Sequence, residues 1–446
     1  MSNNINLEQK LEYKGYWYLP SSPENKVAGV ITYYPGEKIV LELIGCFDNS
    51  ISSLLECKEE SVIHGKTSDA KEITLLQCFQ SSSVNFNADF PIVQYNCSFI
   101  VIGKHINSLY EKGNYWVSFR IPELTLWCYP AALNNNVRFN DQDCKITDVS
   151  VSLNFNTENN EDVICNVQID DNTSLLLKKD VFYDSSKFFL NPQFEQYTYA
   201  EIVKHSEASI NELMADVHNF ERFISVASFD VVESTDITLY DKDIFKQGKY
   251  RKIYKEINLI HRGYKLKNQQ KTKADFLFRY TTIKNVYPEI IKNWFHIPAD
   301  LYPIRSHLIS SLERKSVWGS VDFLIIIQAI EGFWWRFKDN DYKIKNSISK
   351  KYNTDLNTIL TKLIEEFDDI ELLNNCCINI EAVVDSRHYY SHFVEQSKKP
   401  KKLDGEPLIK EAKKLRVLLI CCILSFIGFD DSQINEIFKT SSLNLH

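Results

Sequence analysis

Residues 27–44 read Val-Ala-Gly-Val-Ile-Thr-Tyr-Tyr-Pro-Gly-Glu-Lys-Ile-Val-Leu-Glu-Leu-Ile. Val27 to Tyr34 and Lys38 to Ile44 are rich in β-branched and aromatic residues, and Pro35-Gly36 between them is turn chemistry. That pattern predicts a hairpin. The same grammar extends outward on both sides. Tyr16-Trp17-Tyr18 runs to Pro20, and Ile73 to Leu76, Ser98 to Ile102 and Tyr115 to Phe119 are further strand-like runs. Residues 11 to about 185 therefore read as strands. Asn134-Asn135-Asn136 and Asn156 to Asp162 read as loops, and Asp170-Asp171-Asn172 as a tight turn.

The period changes near Ser206. Ile210, Leu213, Val217 and Phe220 lie three or four apart, which predicts a helix from about Ser206 to Val226 with Ser206 as its cap. Strands are expected again around Asp236 to Leu239 and Lys249 to Ile260. From about Tyr287 the chain reads as helical: Ser320 through Trp334, Asp355 to Phe367, Cys376 to about Glu395, Pro407 to Ile427 with Gly428 as its stop, and Ser432 to Thr440. The polar link from Ser397 to Gly405 separates the third and fourth of these. The expected fold is α+β and multidomain: a β-rich, sandwich-like region over 1–285, with a subdomain break near 155–205, then an all-α bundle over 286–446.

The 446 residues exceed one ordinary domain. At 44% hydrophobic and 25% charged, with 13 Gly and 12 Pro, the composition is that of a folded soluble protein. The net charge of -8 means that any site for nucleic acid is a local patch. The 11 Cys are irregularly spaced with no CxxC, and no signal peptide is seen at Met1. They read as reduced, mostly buried thiols of a cytoplasmic protein, with no metal site expected. The longest apolar run, Val417 to Phe429, falls short of the roughly 20 residues that span a bilayer, so no membrane contact is expected. It reads as a core or dimer helix, with some of Leu419, Leu424, Phe426 and Ile427 expected to be buried between subunits. Phosphate-loop, dinucleotide, HExxH and GxSxG motifs do not occur.

One segment carries chemistry. Val383-Val384-Asp385-Ser386-Arg387-His388-Tyr389-Tyr390-Ser391-His392-Phe393 holds an Arg with a His five positions on. A guanidinium fork grips phosphate, and an imidazole moves protons near neutral pH. On a straight helix residues five apart point about 140° from each other. Arg387 and His392 are therefore expected to converge only at a helix start, or with a second subunit supplying partners.

A late helix in a bundle carrying Arg-x4-His resembles the HEPN superfamily, and the stretch from Val384 to Phe393 is similar to the corresponding segment of ApeA-like HEPN domains. The helix holding Gln328, Glu331 and Arg336 looks like an earlier helix of that domain. Gly15 to Pro20, Gly29 to Gly45 and His64 to Cys78 look like the ApeA N-terminal domain. The resemblance implies a bacterial antiphage, abortive-infection protein with a C-terminal ribonuclease domain that works as a dimer or higher oligomer. It also implies a sensing or regulatory N-terminal region, with a phage-derived or nucleotide trigger, and no cofactor. The residue after the Arg is most often Asn in that superfamily; here it is His388, as a second acid/base or an orienting group.

On that reading Arg387 clamps the scissile phosphate, His392 transfers protons, and RNA is the substrate. Glu331, on an apolar helix, needs a partner such as Arg387 or His392, or forms a salt bridge elsewhere. Asp385 orients an imidazole or caps the helix. Tyr389 and Tyr390 stack on a base or sit in the core. Lys398, Lys399, Lys401 and Lys402 track the RNA backbone or form a solvated loop. A second basic stretch, Lys242 to Lys273, including Arg251, Lys252, Arg262 and Lys265 with Tyr250, Tyr254 and Tyr264 interleaved, binds nucleic acid or is the wet face of a strand pair. The rival readings are a HEPN-fold scaffold or antitoxin partner without cleavage, and a β-domain ligand sensor whose helices only dimerise.

Overall fold

The computed structural model describes residues 7–47, 58–81, 91–129, 133–139, 145–153, 162–184, 193–248, 252–261, 276–313, 319–346 and 354–441. It divides into two compact units. The first comprises Met1–Thr125, Pro130–Glu221 and Glu233–Gln270, and the second comprises Leu126–Tyr129, Arg222–Val232 and Lys271–His446. Where a single cut near 285 was expected, the second unit thus draws in two earlier segments.

The first unit is built on β1 (Leu11–Tyr18), β2 (Val27–Tyr34), β3 (Lys38–Ile44), β4 (Glu59–Thr67), β5 (Glu72–Gln80) and β6 (Ile92–Cys97). The expected hairpin forms in register, with Tyr34 opposite Lys38 and Ala28 opposite Ile44. Strand order runs β5-β4-β1-β2-β3-β6, and β6 pairs back on β5, which closes a six-stranded antiparallel barrel. The sandwich-like expectation is corrected accordingly: closure, rather than a second sheet, covers these edges. Alternate residues fill the interior, among them Trp17, Ile31, Leu41, Ile63, Leu75 and Val93. Gly65 is required there, because a Cβ would lie 2.3 Å from the Trp17 ring. From β5 the sheet continues through Phe99–Ile102, Lys252–His261, Thr235–Gln247, Tyr115–Arg120, Gln193–Lys204, Thr173–Asp184 and Val163–Asp170.

Two local expectations change. Asn134-Asn135-Asn136 lie in strand Leu133–Phe139, paired with Ile146–Leu153, rather than in a loop. Cross-strand pairing overrides the poor strand propensity of Asn. The loop read at 156–162 falls, up to 161, outside the described residues. The Asp170-Asp171-Asn172 turn stands, with the Asn172 amide donating to Asp170 Oδ1 at 2.8 Å.

The helices are α1 (Leu124–Cys128), α2 (Ile210–Ser228), α3 (Tyr280–Ile283), α4 (Tyr287–Phe295), α5 (Tyr302–Glu313), α6 (Ser320–Phe337), α7 (Asp339–Lys345), α8 (Leu356–Glu366), α9 (Glu371–Cys376), α10 (Ile380–His392), α11 (Gly405–Phe426) and α12 (Asp431–Thr440). The cap of α2 is Ser209, whose Oγ accepts the Glu212 amide at 3.2 Å while Glu212 reaches back to the Ser209 amide at 2.7 Å. Ser206 was one turn too early; it instead donates its amide to Asn172.

In the helical unit α6 packs against α5, α8, α10 and α11. The apolar run on α11 is the bundle's own core: Leu419 and Leu424 are fully buried and Ile427 nearly so. Phe426 is half-buried against Phe333 and Phe337. The expectation that some of these side chains lie between subunits is therefore corrected for the three buried ones, because one chain already covers them. No helix among the described residues is long and apolar enough to cross a membrane.

Candidate active site

The expected helix from Cys376 to Glu395 is two helices. Cys377 adopts a left-handed conformation at φ 47° and ends α9. Asn379 then starts α10, its Oδ1 accepting the Ala382 amide at 3.1 Å. The far end of α10 is set by Phe393, left-handed at φ 51° and ψ 39°. Arg387 thus stands late in α10 and His392 is its last residue. The expected helix-start position is wrong; the motif runs from just past the middle of α10 to its last residue.

Convergence occurs within one chain. Arg387 Nη1 lies 2.9 Å from His392 Nε2. A guanidinium can only donate, so Nε2 accepts, and the ring in this geometry is neutral with its proton on Nδ1. The neighbouring Arg387 Nη2 donates to Glu331 Oε2 at 3.3 Å and Oε1 at 3.4 Å. Glu331 projects from α6 with its side chain 9% exposed, and Arg387 is 23% exposed. A carboxylate, a guanidinium and an imidazole stand in a row, running from the bundle interior to the surface. The long Arg side chain spans the angle that the helical period opens. Of the two partners read for Glu331, the structure gives it Arg387.

His388 is half-buried, its ring 6.0 Å from that of His392. Loss of water lowers its pKa first, and Lys399, Arg387 and His392 lower it further; Asp385 opposes them. The imidazole is thereby biased toward its neutral form.

Asp385 neither caps α10 nor reaches an imidazole by a hydrogen bond. Placed mid-helix, it accepts the Lys399 Nζ at 3.3 Å and the Lys401 amide at 3.2 Å. Beside it Ser386, fully buried, accepts the Leu403 amide at 2.8 Å, and the Tyr390 hydroxyl donates to Leu403 O at 3.0 Å. These bonds strap residues 399–403 along α10. Burial raises the Tyr390 pKa to about 12, with Asp404 contributing, so the phenol stays a donor. Tyr389 and Tyr390 meet edge to face at 4.9 Å, and Lys402 Nζ lies 4.4 Å from the Tyr389 ring centroid. Both phenols thus have partners within this helix and strap.

The four lysines do not form an open row of charge. Lys398 pairs with Glu395 at 3.4 Å, Lys399 with Asp385, Lys401 with Glu381 and Lys402 with Asp404 at 3.3 Å. A phosphate would have to exchange with those carboxylates. In the other basic stretch Lys242 donates to Lys204 O at 2.7 Å and Lys252 lies over the Phe245 ring. Tyr250, Arg251, Arg262, Tyr264, Lys265 and Lys273 are outside the described residues. Among the described residues no group of three or more His, Cys, Asp and Glu is placed to hold a metal ion.

Ser386 was not singled out from sequence; its signal is a small polar residue among Ala382 and Val383 on the buried side of α10. Phe393 was also passed over.

The row thus joins two helices of the bundle, Glu331 from α6 and Arg387 and His392 from α10. Residues 324–433 match the model of Apea-like HEPN domains. Residues 12–294 match the model of ApeA N-terminal domain 1. That second match covers more than half of the chain, and the protein belongs to the ApeA family. HEPN domains are generally ribonucleases, and the combination with this N-terminal region suggests an antiphage, nuclease-like function. Neither the comparison with curated proteins nor that with solved structures finds a match.

Proposed function

We propose that the protein is a metal-independent endoribonuclease that cuts RNA to abort infection, with Arg387 and His392 as its reacting pair. The observation that carries this reading is the 2.9 Å approach of Arg387 Nη1 to His392 Nε2, with Glu331 bonded to the other guanidinium nitrogen. In RNA the 2′-OH can attack its own phosphodiester if a base takes the proton, an acid protonates the departing 5′ oxygen, and a cation offsets the charge gathering on phosphorus. His392 Nε2 accepts the 2′ proton once the substrate phosphate replaces it on the guanidinium. Arg387 then holds the phosphate bidentately, as planar forks do. Glu331 keeps the guanidinium aimed from behind.

The second proton carrier is His388, or His392 of a second copy in a composite site formed by two facing helical units. That carrier must arrive protonated; burial and the neighbouring cations lower the His388 pKa, which favours His392 of the second copy as the acid. The N-terminal region would hold the trigger, phage-derived or nucleotide, in a cytoplasmic protein. Lys398, Lys399, Lys401 and Lys402 would join the RNA by exchanging carboxylate for phosphate.

The test is cleavage of defined RNA by purified protein and by Arg387→Ala and His392→Ala. The reading expects rates at least 100-fold lower in both variants, at unchanged melting temperature, and no inhibition by chelator. Equal rates in wild type and variants would contradict it and favour a scaffold without cleavage. Light scattering tests the composite site: mass at twice the chain or more is expected, and a monomer at all concentrations would remove it.

A further inference from the structure

Phe393 follows His392 directly and is 90% exposed, the highest value of any large apolar side chain among the described residues. It holds a left-handed backbone at φ 51°, a conformation that Gly or Asn adopts far more readily than an aromatic residue. Two local costs, exposure and strain, fall on one residue beside the candidate catalytic imidazole. A helix stop alone would be served better by Gly.

We propose that Phe393 is a stacking platform for an unpaired base of the RNA, next to the linkage that Arg387 and His392 address. The inference rests on the ribonuclease reading and adds the form of the substrate. A base inside a duplex already has both faces covered, so only a single-stranded or looped nucleotide can lie on the ring. The alternative occupant is a second copy of the chain. The surroundings favour the base: His392, Glu395, Gln396 and Ser397 are exposed and polar, and only Val394, half-buried, continues the apolar character. A stable subunit contact buries roughly 800 Å² on each partner, whereas one aromatic side chain offers about 200 Å². One isolated ring, a single residue beyond His392, has the size and chemistry of a nucleobase seat.

The experiment compares wild type, Phe393→Trp, Phe393→Leu and Phe393→Gly on one RNA oligonucleotide, free and annealed to its full complement, with light scattering on each variant. Stacking predicts a KM raised about tenfold in the Leu and Gly variants with kcat within about threefold. It also predicts wild-type KM in the Trp variant and cleavage of the free strand only. Unchanged KM in both Leu and Gly variants overturns the proposal, as does equal cleavage of the duplex. Loss of activity together with a lower mass in the Leu variant also overturns it and assigns the ring to a subunit contact. A 2′-O-methyl copy of the oligonucleotide separates this inference from the ribonuclease reading. Added to Phe393→Trp, it should quench fluorescence beyond the wild-type change even if no RNA is cut, and absence of that extra quenching would count against stacking.

Discussion

Glu331 decides whether the guanidinium is a free arm or an aimed one. Its carboxylate is buried and spends both oxygens on Arg387 Nη2. Glu331→Gln keeps the shape and removes the charge, so Arg387 loses its anchor. We expect kcat/KM to fall about tenfold, or roughly 1.4 kcal/mol of transition-state stabilisation, mostly in kcat, with the melting temperature little changed. A wild-type kcat in this variant would show that Glu331 is structural only. His388 offers a pH test. Its pKa lies below the ordinary imidazole value in the folded chain, so the unfolded chain takes up the proton first as pH falls. Stability contributed by the neutral ring is therefore complete above the unfolded value, near 6.5, and is lost as pH drops through it. Denaturant midpoints of His388→Gln should show a shallower decline between pH 7 and 5 than wild type; an identical or steeper decline would contradict this. Chemistry singles out Arg387 and His392, whereas their helical spacing argues against a meeting within one straight helix; the reach of the arginine side chain closes the gap. What the spacing hid was where along the helix they meet, because that depends on a single left-handed residue, Phe393.

At the scale of elements, α10 and its strap form one device. Ser386 ties the Leu403 amide to the helix, and Asp385 and Tyr390 hold the same segment from either side. Ser386→Ala leaves that amide without its side-chain acceptor in a buried setting, a loss of about 1–3 kcal/mol. We expect urea midpoints to drop accordingly and the amide of Leu403 to exchange faster with solvent; unaltered exchange would mean that the strap is held by other contacts. Helix existence was well signalled by apolar period along α6, α8, α11 and α12. Boundaries were not. The break at Cys377 and Asn379 inside an apparently continuous helix rests on one left-handed residue and one capping side chain. Such features are cheap in sequence and decisive in space. The Asn-rich strand failed for the converse reason: its identity depends on a partner strand, and local propensity carries no information about partners.

At the scale of the whole molecule, the hairpin at residues 27–44 announced the β-rich half but not its closure, since nothing local encodes that β6 returns to β5. The helical half was also read as contiguous, while its compact unit includes Leu126–Tyr129 and Arg222–Val232. Within that unit Trp127 is fully buried, donates Nε1–H to Phe278 O at 3.0 Å, and packs with Phe223, Tyr280 and Tyr287. A fragment of residues 271–446 lacks both Trp127 and Phe223. Losing large core aromatics costs about 3–5 kcal/mol each, so this fragment should be insoluble or melt well below the full chain; equal melting would contradict the assignment of those segments to the helical core.

The central claim is that Arg387 and His392 act jointly on a phosphodiester whose own 2′-OH is the nucleophile. The most direct measurement is the chemistry of the cut ends, read on RNA cleaved in the presence of chelator. The account predicts a 2′,3′-cyclic phosphate on one side and a 5′-hydroxyl on the other. A 5′-phosphate, or cleavage only after magnesium is added, would contradict it.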